Sequence, residues 1–258
     1  MTAQAPLMLQ ACGTATVLMW LVAFGLYVAD ALRVAETAGH LQMARLLTRL
    51  GLLIGTAGWA GYVALTWPPL PWRAAWLPPL ALAALAIYTL LARRVSKSPV
   101  SPCLYGCAVV AYGVALASWG AGNGEALTGN PRAWPLIAIR ELAAVVAAGT
   151  LLTYGTGLLI RHPPPQALAA ARAEQLGDGT LRIALWGTLL ALAAAAGRAW
   201  LVWGEVARAD VVTLFIAWAF IMAASLWQMM TGMSMTRMVH GLALAALVLL
   251  GAMFLVTA

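Results

Sequence analysis

The chain has 258 residues, 63% of them hydrophobic and only 9% charged, with a net charge of +7. A soluble domain of this length does not carry so few charges, so the composition excludes a water-soluble enzyme and defines an integral membrane protein. The basic residues are scattered through connections between apolar segments instead of being gathered on one soluble face, which excludes nucleic acid as a partner and leaves the positive charge as a topology signal.

A helix needs roughly 20 apolar residues to cross about 30 Å of hydrocarbon. Eight windows meet that length, at 13–32, 49–67, 74–92, 103–121, 135–160, 182–203, 211–232 and 239–257. None alternates apolar and polar residues with period two, so the expected fold is all-α: a polytopic transmembrane bundle of about eight helices in a single domain, 1–258. The first window has no basic front or small-residue cleavage site, and it reads as a retained helix.

Loops one, three and five hold Arg33, Arg45 and Arg49, then Arg93, Arg94 and Lys97, then Arg161, Arg172 and Arg182. Loops two, four and six hold one basic residue each, Arg73, Arg132 and Arg208. Basic loops face the cytoplasm, so both termini and loop six are expected outside, in a bacterial-type inner membrane. Loop two, TWPPLPWRAAW, supplies interfacial tryptophans, and loop four, GAGNGEALTGNPRAWP, is a Gly- and Pro-rich outer connection. In the stretch 161–181, three prolines stop a helix, and ALAAARAEQL then reads as a short amphipathic helix ended by Gly177.

Metal chemistry finds little to use. Cys103 and Cys107 are one helical turn apart without a Cys-x-x-Cys motif, and Cys12 stands alone. His40, His162 and His240 all fall in or near loops, so no pair is placed to ligate an iron inside the bundle. No Ser/His or Cys/His pair suits nucleophilic catalysis, and a transporter would need a pair of broken spans that is not found.

Charges inside the spans are the sharper signal, because each costs on the order of 3 kcal/mol or more in hydrocarbon. Arg140 and Glu141 lie about one and a half turns into segment five, and Arg198 lies at a comparable depth in segment six. Neighbouring residues project about 100° apart, so the expected arrangement pairs Glu141 with Arg198 and aims Arg140 at an outer cavity below loop six. Either that pair only fixes helix packing, or the recess receives an anionic group such as a haem propionate, a lipid phosphate or a quinone oxygen. Asp210, just before segment seven, reads as an N-cap.

Loop six, WGEVARAD at 203–210, followed by VVTLFIAW, resembles the tryptophan-rich loop of the CcsA/ResC-type cytochrome c assembly proteins and of the related HemX-type haem-handling membrane proteins. Trp203, Gly204 and Asp210 fall at the family spacing, with Phe215 and Trp218 in the aromatic stretch that follows. The stretch ARLLTRLGLLIGTAGWAGYVALTWPPLP resembles the family's second span, TLLTYGTGLLI half of its fifth, and ARAEQLGDGTLRIALWGTLLALAAAAGRAW the helix before its loop.

The departures are equally specific. Val206, Ala207 and Ala209 replace loop aromatics, and Val211, Val212 and Thr213 replace a Pro-Lys-Glu run. Gly55 stands where the family has a membrane histidine, Ala138 to Arg140 occupy the region of another, and no histidine follows segment eight. The resemblance implies a haem-handling scaffold of cytochrome c maturation, with cytochrome c or its assembly proteins as partners, but without the iron ligands. Its site would be Trp203, Gly204, Asp210, Phe215, Trp218, Arg140, Arg198 and Glu141, with haem or a quinone as cofactor. The alternative is an anchoring subunit of a respiratory or photosynthetic electron-transfer complex, packed against membrane lipid and other membrane subunits.

Overall fold

A computed structural model describes residues 4–32, 38–66, 72–95, 100–121, 133–160, 167–232 and 236–256. Eight helices account for nearly all of them: α1 (Gln4–Ala31), α2 (Ala38–Thr66), α3 (Trp72–Val95), α4 (Val100–Ala121), α5 (Trp134–Ile160), α6 (Ala167–Trp203), α7 (Ala209–Thr231) and α8 (Arg237–Val256). Among the described residues there is no strand. Each of the eight apolar windows falls on one of these helices. Six helices contain stretches long and apolar enough to cross a membrane, and α3 and α4 contribute the shorter apolar stretches Ala75–Leu90 and Pro102–Ala117. The chain is thus built as an all-helical integral membrane protein. Many side chains on its outer faces are large and apolar, as a lipid solvent requires.

The helices extend beyond their apolar windows. Arg45, Arg49, Arg73, Arg172 and Arg182, counted with the loops in the sequence, all lie within helical turns, and Arg73 is buried. The fourth loop between 122 and 132 and the prolines of 163–165 fall outside the described residues.

The expected break at Gly177 does not occur. α6 runs unbroken for 37 residues from Ala167 to Trp203, about 56 Å at 1.5 Å per residue. A glycine inside a helix costs only about 1 kcal/mol. Here Leu176, Thr180 and Leu181 are buried around it, and Thr180 Oγ1 donates to the Gly177 carbonyl at 2.9 Å. Packing of that turn outweighs the glycine's preference for ending it.

Contacts divide the chain into two compact units, one of α1–α4 and one of α5–α8. In the first, α1 packs on α2 and α4, and α3 packs on both α2 and α4. In the second, α5 packs on α6 and α8, and α7 packs on the same two helices. Each unit is therefore a ring of four helices, antiparallel between neighbours because the connections are short.

Glycines set the closest approach in the first unit. Descending α1 as α2 ascends, Trp20 lies against Gly51, Thr16 against Gly55, Cys12 against Gly58 and Leu9 against Gly61. A Cβ on Gly55 would meet Thr16 Cγ2 at 2.9 Å and Leu82 Cδ2 at 3.3 Å. The Gly55 carbonyl also accepts a hydrogen bond from Tyr112 at 2.9 Å. Trp20, fully buried over Gly51, meets Tyr112 edge to face at 5.4 Å. Further along, Tyr27 stacks on Tyr105 at 4.6 Å while Tyr88 meets Tyr105 edge-on at 5.7 Å, and Tyr105 shares a 2.9 Å hydrogen bond with Thr48. In this tightly packed seam the small residue at 55 has a packing reason of its own.

Gly55→Ala is therefore expected to lower the thermal stability of the detergent-solubilised protein by about 1–3 kcal/mol through overpacking. Thr16→Ser, which removes the methyl that the added Cβ strikes, should recover much of that loss in the double variant. Equal melting temperatures for Gly55→Ala and wild type would show that the seam is looser than described.

Candidate functional site

The second unit gathers its charges where α5 begins, α6 ends and α7 begins. α6 stops at Trp203 because Gly204 adopts a left-handed conformation, φ 71°, and its N–H donates to the Trp200 carbonyl at 3.0 Å. A residue with a side chain resists that conformation, which explains the glycine after the tryptophan. Four residues later Arg208 turns the chain into α7: its N–H donates to Val206 O at 2.8 Å, and its carbonyl accepts from Val212 N at 2.9 Å.

Asp210 is not the N-cap. That position belongs to Arg208, extended at φ −105° and ψ 156° and without a side-chain cap bond. Asp210 sits one residue inside the helix, where its charge still favours the positive end of the helix dipole. Its carboxylate has a stronger partner: Arg140 Nη1 donates to Asp210 Oδ2 at 3.0 Å.

The other terminal nitrogen of Arg140 donates to Glu141 Oε1 at 2.5 Å. Arg140 is therefore not aimed into an open recess, as the 100° spacing led us to expect; its long side chain folds back so that one guanidinium serves both its sequence neighbour and the start of α7. The side chains of Arg140 and Glu141 are 1% and 0% exposed and that of Asp210 14%. Charges this deeply buried persist only with charge-assisted hydrogen bonds of this kind. The pairing of Glu141 with Arg198 remains an expectation, addressed by a double-mutant cycle of Glu141→Gln with Arg198→Gln.

Around this pair runs an arginine–tryptophan rim. Trp203 has the Arg208 guanidinium carbon 3.8 Å from its ring centroid and that of Arg198 at 5.2 Å. Arg198 is buried, whereas Arg208 and Trp203 are exposed. Cations over an indole face are attracted by its quadrupole, by about 0.5–1 kcal/mol at exposed sites. Trp203, Gly204, Asp210, Arg140, Glu141 and Arg198 are thus all placed at this end of the unit.

Phe215 and Trp218 lie further along α7, with ring centroids 6.1 Å apart. The buried stripe of α7 is Val211, Leu214, Ala217, Ile221 and Ala224. Phe215 lies outside it and is more than half exposed. The two aromatics therefore form a separate pair on the flank of α7.

Among the described residues no group of three or more His, Cys, Asp or Glu side chains converges. His240 packs against Tyr154 in the second unit, ring centroids 5.9 Å apart, and His40 is exposed on α2 in the first; His162 is outside the described residues. At the far end of the unit, Asp178 of α6 accepts from Arg182 on its own helix at 3.1 Å and from Gln228 of α7 at 2.6 Å, tying the two helices.

Sequence reasoning missed the Arg140–Asp210 contact. The usable signal was depth: both residues fall within the first two turns of their helices, α5 and α7. No family model, curated protein or solved structure matches the chain.

Because Arg140 bridges two carboxylates, Asp210→Asn leaves the guanidinium paired with Glu141 and removes only the charge-assisted bond to α7. It is expected to destabilise the protein by about 1–3 kcal/mol. A cycle combining Arg140→Gln with Asp210→Asn, read by thermal unfolding in detergent, should give a coupling of at least about 1 kcal/mol. Additive losses would mean that the contact carries no energy of its own.

Proposed function

We propose that this protein is an anchoring subunit of a membrane electron-transfer complex in a bacterial-type inner membrane, with eight crossings and both termini outside. The observation that carries this reading is the use of Arg140: both of its terminal nitrogens are engaged by Glu141 and Asp210. This deeply buried cation therefore joins helices and is not presented to a ligand. The exposed apolar side chains of α6 and α7, Trp186, Trp200, Val212 and Phe215 among them, suit lipid and the helices of neighbouring membrane subunits. An anchor of this kind needs a rigid body and apolar flanks, and it needs no catalytic group.

A second reading keeps the CcsA-like role in haem handling during cytochrome c maturation, with cytochrome c or its assembly proteins as partners. Its support is the rim itself. Exposed Arg208 held over exposed Trp203 offers a flat aromatic and a cation side by side, the pairing that a haem or quinone edge with an anionic or polar substituent would use. In that reading iron would be ligated by a partner, since no histidine of the described residues stands at the rim.

Gentle purification followed by visible spectroscopy separates the two. The anchor reading expects a colourless protein that co-purifies with other membrane subunits in fixed ratio. A stoichiometric b-type haem spectrum would transfer the conclusion to haem handling, and a stable colourless monomer would contradict both. For the topology, a periplasm-dependent reporter enzyme fused after Ala258 should be active; activity only from a cytoplasm-dependent reporter would invert the assignment.

A further inference from the structure

The membrane-length apolar stretches of α6 and α7 end at Trp203 and begin at Ala209, so the turn between them lies at the depth of the membrane boundary. Arg208 is the one cation in that turn, and its guanidinium is positioned. Its carbon stands 3.8 Å from the centroid of the Trp203 ring, over which Arg198 also stands at 5.2 Å. Two cations thus converge on a single indole. The donors of a guanidinium lie in its own plane, so one that rests on an aromatic face keeps its N–H groups free at the edge and loses less freedom when they are engaged.

The neighbouring carboxylates leave Arg208 available. Asp210 is taken up by Arg140. Glu205 is exposed in the same turn and forms no ion pair with Arg208, which among the described residues has no carboxylate partner.

Directly below Arg208 the outward face of α7 is apolar. The Arg208 carbonyl accepts from Val212 N, which sets the two residues one helical turn apart. The turns that follow bring Phe215, Ile216 and Leu226 to the same side, and like Val212 each is at least 40% exposed. From Val212 to Leu226 the stripe runs about 21 Å at 1.5 Å per residue, more than the roughly 15 Å depth of one leaflet's hydrocarbon.

We propose that Arg208, positioned by Trp203 and supported by the charge of Arg198, binds the phosphodiester of an anionic phospholipid whose acyl chain lies along Val212, Phe215 and Ile216 of α7. One guanidinium offers two parallel N–H donors to a phosphate, the strong bidentate form of this contact. A basic group at the headgroup level above an apolar strip is the arrangement that lipid recognition requires. A zwitterionic lipid brings its own cation to the same place, so the anionic headgroup is preferred. The inference rests on neither reading of the function, since an anchor and a haem-handling protein can each hold such a lipid at this rim.

Native mass spectrometry of the full-length protein in detergent provides the test. The protein is titrated with dioleoylphosphatidylglycerol, with dioleoylphosphatidylcholine as the zwitterionic comparison, and inorganic phosphate is the soluble competitor. The wild-type chain is expected to bind one phosphatidylglycerol about tenfold more tightly than phosphatidylcholine, and phosphate is expected not to displace it. Arg208→Gln should abolish the preference, and Trp203→Leu, which releases the guanidinium, should weaken it. Arg49→Gln, at an exposed arginine of the first unit, should leave it unchanged. Arg208 caps α7 through its backbone alone, so its side chain is replaceable, as size-exclusion behaviour will report. Should Arg208→Gln not fold, Arg208→Lys takes its place, keeping the charge but losing the planar fork, with a smaller loss of preference expected. Equal affinity for the two lipids overturns the proposal, as does displacement by phosphate. A preference that survives the Arg208 or Trp203 substitution, or that falls equally in Arg49→Gln, overturns it as well.

Discussion

A charge placed where α5, α6 and α7 meet must either leave the membrane interior or find an opposite charge, and the second unit is organised around the latter. Arg140 is fully buried, and at 3.0 Å and 2.5 Å its two terminal nitrogens reach carboxylates from α7 and from its own helix. Burying such a pair is costly, and replacing it by apolar side chains is often neutral or stabilising in other proteins. What the pair provides is selectivity: α7 starts against α5 in the register that brings Asp210 to the guanidinium, and a shift by a single residue would take Asp210 away from it. Gly204 and Arg208 then shape the connection that delivers Asp210 to that position.

The first unit brings its helices together through a track of glycines. Gly51, Gly55, Gly58 and Gly61 let α2 approach α1 closely enough for Trp20, Thr16, Cys12 and Leu9 to lie on the glycine track. In lipid there is no hydrophobic drive between helices, so close contact and the hydrogen bonds of Tyr112 and Tyr105 must supply the cohesion. This has a bearing on the resemblance to the cytochrome c assembly proteins. Where that family has a histidine in its second span, a side chain at residue 55 would press into Thr16, and the backbone there is already engaged by Tyr112. The position is filled by packing, which agrees with an anchoring role better than with a haem-ligating one.

Much of this was readable in the residues. Long apolar windows located every helix, because membrane length and backbone satisfaction leave few alternatives, and the isolated charges at 140, 141, 198 and 210 marked the one end worth close attention. Two features were hidden for definite reasons. Gly177 reads as a helix end, yet burial of Leu176 and Leu181 carries α6 through it, a tertiary effect invisible to local propensity. Arg140 was expected to face an outer cavity because helical spacing describes where a Cβ points, whereas arginine's four rotatable bonds let its guanidinium reach a carboxylate on the next residue and another on α7.

The central claim is that the guanidinium of Arg140 joins α5 to α7 through Asp210. Solid-state NMR in lipid bilayers, with 15N-labelled arginine and 13C-labelled aspartate, measures that contact directly. With Arg140→Lys as the assignment control, a strong dipolar coupling between the Arg140 guanidinium nitrogens and the Asp210 carboxyl carbon is the predicted result. A guanidinium in contact with water or lipid phosphate, with no coupling to Asp210, would contradict the account.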